Sequence, residues 1–326
     1  MNARNRFGRG ALLGAILLGG LSFGAQGQTF PTGPIKLIYP FSAGSAFDTA
    51  SRMLAAEASK PLGQPMVVEN RPGAAGRLGL AAMGQTPGDA HTLAVVVNNI
   101  LVILPLADPG FKFQEEKDYK LVTLALESFG VLVGRPSLPY RDVRGLIAYA
   151  RENRGKVNFA SSGTGSAGHL VMELLQSVAG ISVTHIPYKG ETPVFADLMG
   201  GQVDLFFTVA GAKPHVDSGK LVALATTGPK RWGLFPNLPT MVESGLPGVI
   251  YAPWLGIAAP GGTASAVVAR LNGAFRSALQ NQEVRQKLGA MGFEFVGGTP
   301  EEFSARVSAD RALWGPVIKK AGIKFD

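Results

Sequence analysis

Residues 35–48 read IKLIYPFSAGSAFD, and their order decides the fold. The apolar run Ile35-Lys-Leu-Ile-Tyr39 has strand character. A Gly/Ser turn follows from Phe41, and residues 49–60 then carry Met53, Leu54 and Ala58 at helical spacing. Strand, turn and helix make the building unit of an α/β sheet. The unit recurs outward: residues 66–69 read as a second strand, 70–73 as a turn, 78–83 as a helix start and 92–97 as a continuous apolar strand. Apolar strands alternating with helices predict a mostly parallel sheet covered on both faces.

The same grammar restarts after residue 125. Strands are expected at 129–133, 157–160, 183–186, 203–207 and 222–226. Helices are expected from Asp142 to Arg151 and over 169–178, with a third that Thr192-Pro193 caps and opens and that runs to Met199. Two long helices close the chain, at 264–279 and 300–321, the last behind a Thr299-x-x-Glu302 capping box. They have no sheet of their own and should return to the first half through a connection near 254–260. The expected architecture is α/β: a two-lobed clamshell, each lobe a mostly parallel sheet flanked by helices, joined by two crossover strands. Residues 28–125 and 255–326 would form one lobe and 126–254 the other, with a ligand cleft between them.

The first 27 residues read as a leader. Arg4, Arg6 and Arg9 precede a run of small and apolar residues over 11–25, and Ala25-Gln26-Gly27 ends it with small residues. At about 15 residues the run falls short of the roughly 20 a spanning helix needs. It fits a cleaved secretory signal peptide, placing the mature chain in the periplasm. Taking those three arginines from the formal +8 leaves +5, a mild excess. No Lys/Arg run interleaved with aromatics accompanies it, so nucleic acid is not an expected partner. Cysteine is absent from all 326 residues, which excludes disulfides, thiolate metal sites and a lipidated cysteine. His91, His169, His185 and His215 lack metal-ligand spacing, and no cofactor is expected. The mature protein is taken as a monomer.

Two Gly/Ser turns carry the chemistry. The first, Phe41-Ser42-Ala43-Gly44-Ser45, leads from a strand into a helix, where unpaired amides and the helix dipole favour an anion. Asp48 lies in this stretch, but Ser45-x-x-Asp48 is also a capping box, and its charge would repel a ligand carboxylate. The second turn, Ser161-Ser162-Gly163-Thr164-Gly165-Ser166, also runs from strand to helix and is rich in hydroxyls. Its 163–168 segment matches G-x-G-x-x-G, with Glu191 about 20 residues on; that acid follows a turn instead of ending a strand, so a second anion cradle fits better than a dinucleotide site. Tyr188 and Lys189 sit on a loop that can add a phenol and a cation. No G-x-S-x-G elbow, carboxylate pair or P-loop is present.

Seven segments in order complete the pattern: Ile35-Lys-Leu-Ile-Tyr-Pro-Phe41 leading to Asp48; Val67-Val-Glu-Asn-Arg-Pro-Gly73 with Ala75-Gly76; Asn158-Phe-Ala-Ser-Ser-Gly163; Pro187-Tyr-Lys-Gly190; Gly200-Gly-Gln-Val-Asp204; Leu238-Pro-Thr240; and Gly297-Gly-Thr-Pro-Glu-Glu302. From about residue 30 to the end, the chain resembles the solute-binding receptors of tripartite tricarboxylate transporters, the Bug receptors. The resemblance implies a clamshell that closes on a small carboxylate, held by the loop after the first strand and by the serine-rich loop of the second lobe. These positions correspond here to Ser42–Ser45 and Ser161–Ser166. Asn98 and Thr208 join the expected ligand-binding set. The chain also departs from the family. Ser42-Ala43-Gly44-Ser45 replaces Pro-x-Gly-Gly, Phe47 is bulky, and Thr208-Val209 stands where an Asp-Asn pair is common. Losing that acid would disfavour an ammonium group and favour an aromatic or other mono- or dicarboxylate. The reading is therefore a non-enzymatic receptor that passes a carboxylate to membrane transporter subunits. Its rivals are an exported serine hydrolase using His169 or His185, and a carboxylate sensor without transport.

Overall fold

Four of the five residues of the first strand, β1 (Ile35–Tyr39), are buried; the exception, Lys36, pairs with Glu69 at 2.9 Å. The computed structural model describes residues 30–322 except Pro87, Asp89, Pro109, Gly165 and Lys189; the expected leader lies outside them. After β1 come α1 (Ala46–Leu62), β2 (Met66–Asn70), α2 (Arg77–Gly84), β3 (Thr92–Val97), the short α3 (Leu104–Ala107) and β4 (Tyr119–Glu127). Helix α1 buries Ala50, Leu54, Ala55, Ala58 and Leu62, a stripe at spacings of three and four. It ends at Gly63 in the left-handed conformation.

The second half follows: β5 (Val131–Gly134), α4 (Val143–Glu152), β6 (Asn158–Ser161), α5 (Ala167–Ala179), β7 (Thr184–Pro187), α6 (Glu191–Met199), β8 (Leu205–Thr208), α7 (Lys213–Asp217) and β9 (Val222–Thr226). The chain then returns through β10 (Trp254–Pro260), α8 (Ser265–Gln280), α9 (Gln282–Ala290), β11 (Glu294–Phe295) and α10 (Pro300–Ala321). Asp142 caps α4 through the Gly145 amide, and Thr299 with Glu302 forms the expected capping box on α10. Helix α6 starts two residues before the expected Pro193, and Gly190, not Thr192, is its N-cap.

Two sheets result, ordered β11-β4-β10-β3-β1-β2 and β7-β6-β8-β5-β9. Both are mixed, with most strands of each running one way: β10 and β11 are set against β1 to β4, and β5 against β6 to β9. Helix crossovers set β2 and β3 parallel to β1, and β7 and β8 parallel to β6. The strands by which the chain enters each sheet from the other, β10 and β5, run the other way. Outgoing β4 and returning β10 lie side by side antiparallel, β10 is antiparallel to β3, and β5 is antiparallel to both β8 and β9. A chain that enters one sheet from another has no crossover helix to reverse it, so it pairs antiparallel.

The two passes are clamped by α10. Arg306 donates to Glu127 Oε2 (3.0 Å), Asp310 Oδ1 (2.9 Å) and the Ala252 carbonyl (3.0 Å), while Trp254 Nε1 donates to Asp310 Oδ2 (2.7 Å). Lys320, near the other end of α10, reaches Ser177 Oγ on α5 at 3.1 Å. The last helix thus braces the crossing point and touches both halves. Among the described residues, no helix is long and apolar enough to cross a membrane.

Candidate functional site

The carboxyl ends of β1, β3, β6 and β8 meet around two adjoining cavities of about 330 Å³ each. Both are lined by Phe41, Asn98, Asn99, Ser162 and Tyr251. One extends over the turn that opens α5, the other toward Glu191 and Thr208. This is the place where open α/β sheets hold ligands.

The first Gly/Ser turn is closed on itself. Gly44 has φ +95°, which lets its amide turn back to Asp48 Oδ2 at 3.0 Å. Ser45 Oγ caps the Asp48 amide (3.1 Å) and bonds the Tyr39 hydroxyl (2.7 Å). Asn70 Nδ2 donates to Asp48 Oδ1 (2.9 Å), and Arg52 donates to both carboxylate oxygens at 3.2 Å. Burial works against the Asp48 charge, but the Gly44 amide, Asn70 and Arg52 outweigh it and hold the carboxyl below its usual range. Asp48 is therefore a structural cap, and the turn sends only Phe41 and Ser45 toward the cavities, followed by Phe47. Ser42, Ala43 and Gly44 are exposed and do not line them.

The second turn is open. Ser166 is the N-cap of α5, yet its side chain makes no capping bond, and its buried Oγ has no hydrogen-bond partner among the described residues. Ser162, Gly163, Thr164, Ser166 and Ala167 line the cavity there. Gly163, at φ +140°, makes the bend. At Gly168 a Cβ would stand 2.8 Å from the Phe207 carbonyl oxygen, so only glycine lets the helix start approach β8 this closely. Gly165 lies outside the described residues. Ser161 is fully buried and does not line either cavity. Its Oγ donates to the Gly163 carbonyl (2.9 Å) and sits 2.7 Å from His185 Nε2. His185 stacks on His169, ring centroids 3.9 Å apart, and on Phe159 at 4.7 Å. Burial first, then His169, pushes the His185 imidazole down to about 4. The Ser–His contact the hydrolase reading needs is thus present, but it is walled off and built on a weakly basic ring.

The remaining expected residues divide. Asn98 lines both cavities and hydrogen-bonds the Tyr251 phenol, which burial pushes up to about 12. Tyr188 does not line either cavity: its hydroxyl donates to Asp197 Oδ2 at 2.6 Å. Lys189 lies outside the described residues. Thr208 lines the second cavity, and its hydroxyl donates to both oxygens of Glu191 at 3.2 Å. That contact corrects the charge argument drawn from Thr208. An acid is absent at 208, but Glu191, first residue of α6, sets a carboxyl beside it. Burial raises the Glu191 pKa, with Thr208 opposing. Among the described lining residues of both cavities, Glu191 is the one formally charged side chain, and no Lys or Arg is present. Sequence reasoning weighed Glu191 only as a ribose-binding acid. It missed Tyr251 and Phe207 because nothing local separates a cavity aromatic from a core one.

Two α/β lobes with a cleft lined from both sides define a two-lobed solute-binding receptor. The chain belongs to the tripartite tricarboxylate transporter receptor family, whose model ("Tripartite tricarboxylate transporter family receptor") matches residues 50–323. It is 33% identical over 312 residues to Protein BugT of Bordetella pertussis, covering 95% of this chain and 96% of that protein. Among solved structures, it is similar to R. palustris Rpa4515 with adipate (33% identity, TM-score 0.77, 90% of this chain and 99% of that one). It is also similar to MatC from Rhodopseudomonas palustris with bound malate (30% identity, TM-score 0.73, 89% of this chain and 100% of that one).

Proposed function

We propose that this receptor captures a small carboxylate outside the cytoplasm and delivers it to the membrane subunits of a tripartite tricarboxylate-type transporter. The observation that carries the reading is the start of α5: an uncapped helix N-terminus with a buried, unpartnered Ser166 hydroxyl on the cavity. First-turn amides and a free hydroxyl suit an oxyanion, and charge-assisted hydrogen bonds are the strong ones. Each such bond contributes about 1.5–3 kcal/mol, and leaving the hydroxyl unpaired costs part of that. The adipate and malate held by the two R. palustris proteins are carboxylates, in keeping with this chemistry. The lobes close over the bound solute, and the closed form is what the membrane partner meets.

Titration calorimetry with small carboxylates and their methyl esters tests the capture step. The acids should bind at least about tenfold tighter than the esters, the ratio that 1.4 kcal/mol produces. Equal binding of acid and ester would overturn the reading. Loss of solute uptake on deleting the gene tests the transport step, and unchanged uptake of a tightly bound solute would point to sensing instead. Because Ser161 is sealed off, a chromogenic ester should show no turnover that Ser161→Ala abolishes; such turnover would establish the hydrolase.

A further inference from the structure

The second cavity combines three features that a plain carboxylate does not use. It holds a carboxyl group, Glu191, whose hydrogen-bond partner among the described residues is one neutral hydroxyl, Thr208. A carboxylate offers about four acceptor sites, so most of its capacity is left for a ligand. No cationic side chain is among the described lining residues, so none of them offers Glu191 or a second ligand carboxylate a cation there. The walls carry the rings of Tyr39, Phe41, Phe47, Phe207 and Tyr251. Aromatic rings around a lone acid suit a cationic nitrogen, which gains from ring faces as well as from the charge. A dicarboxylate spanning the two cavities would instead set like charges against each other.

Building on the carboxylate reading above, we infer that the solute is a zwitterion, with its carboxylate at the start of α5 and a cationic nitrogen at Glu191 among the aromatic rings. Glu191 is then the specificity-determining residue of the site. Its position supports this role in two ways. As the first residue of α6 it sits at a helix N-terminus, which favours the ionised form. Burial disfavours that same charge, so a cationic partner gains more there than it would in open solvent. A Cβ built on Gly211 would stand 3.6 Å from Glu191 Oε2 and 3.7 Å from the Phe195 ring, so both approach that glycine.

Titration calorimetry on the full mature chain decides the matter. The probes are the trimethylammonium derivatives of glycine, β-alanine and γ-aminobutyrate, the three parent amino acids, and carbon isosteres in which tert-butyl replaces trimethylammonium. At least one zwitterion should bind about tenfold or more tighter than its tert-butyl isostere, the ratio of a single favourable charge contact. Glu191→Gln, which keeps shape and the Thr208 contact, should reduce that preference to within about twofold, and Glu191→Asp should retain part of it. Isosteres that bind as tightly as the zwitterions, or a preference that survives Glu191→Gln, would overturn the assignment while leaving carboxylate capture intact. Zwitterion methyl esters that bind as well as the acids would remove the carboxylate reading and leave Glu191 in its role. Failure of every probe to bind counts against both.

Discussion

The starts of α1 and α5 look alike as sequence and differ as chemistry. Each follows a buried strand, bends at a glycine and enters its helix through a serine N-cap. The difference lies three residues after the cap, where α1 carries Asp48 and α5 carries His169. Asp48 folds back and ties up the Gly44 amide, Asn70 and Arg52. His169 stacks on His185, its pKa lowered by burial, while the Ser166 side chain makes no capping bond and its hydroxyl has no partner among the described residues. One turn is a finished structural cap, and the other is the start we propose as the anion site. A helix N-terminus becomes a site only where the protein declines to satisfy it itself.

Removing Asp48 should have the largest effect on the fold. Asp48→Ala leaves Arg52, Asn70 and the Gly44 amide without their acceptor, and urea unfolding should show a loss of about 2–3 kcal/mol, at the low side of a broken buried pair because Arg52 is half-exposed. Carboxylate affinity of the folded variant should change by less than about threefold. A large affinity loss with intact stability would make the first turn a ligand site after all.

The converse experiment is Ser166→Ala. It removes a buried hydroxyl that has no partner, so stability should hold within about 0.5 kcal/mol or rise. Affinity for a bound carboxylate should fall by about tenfold, or 1.4 kcal/mol. If stability drops and affinity does not, the two turns have exchanged roles.

Acid separates the two turns least forcefully but by a distinct window. The folded pKa of His185, about 4, lies below its ordinary 6.5, so the unfolded chain takes up the proton first. Stability should therefore fall as pH drops from 6.5 toward 4, with His169 adding in the same direction. The slope should be about 1 kcal/mol per pH unit at its steepest, less than a full proton difference would produce because His185 is only part-buried. The Asp48 contribution is lost only at lower pH, as its carboxyl is held below 3.8. His185→Phe, which stacks without titrating, should flatten the upper window alone. An unchanged slope would show that the histidine stack is not what the proton reaches.

Much of this architecture was legible along the chain. Alternation of buried strands and amphipathic helices placed β1 to β3 and β6 to β9 within a few residues, and the Asp142 and Thr299 caps stand where their side-chain chemistry put them. The Ser45 cap on the Asp48 amide was equally plain, although the Asp48 carboxylate reaches back to the Gly44 amide instead of that of Ser45. The sense of β5 and β10 was not legible, because it comes from passing between sheets and no local pattern records that.

Periodicity, caps and glycine bends are short-range properties, so the sequence by itself determined two α/β halves and two helix starts able to meet an anion. Which start stays unsatisfied, and that Glu191 comes to lie beside Thr208 across 17 residues of chain, only the tertiary structure decided. The physical reason is that hydrogen-bond satisfaction and burial depend on every neighbour that packing brings near, and those neighbours come from distant parts of the chain.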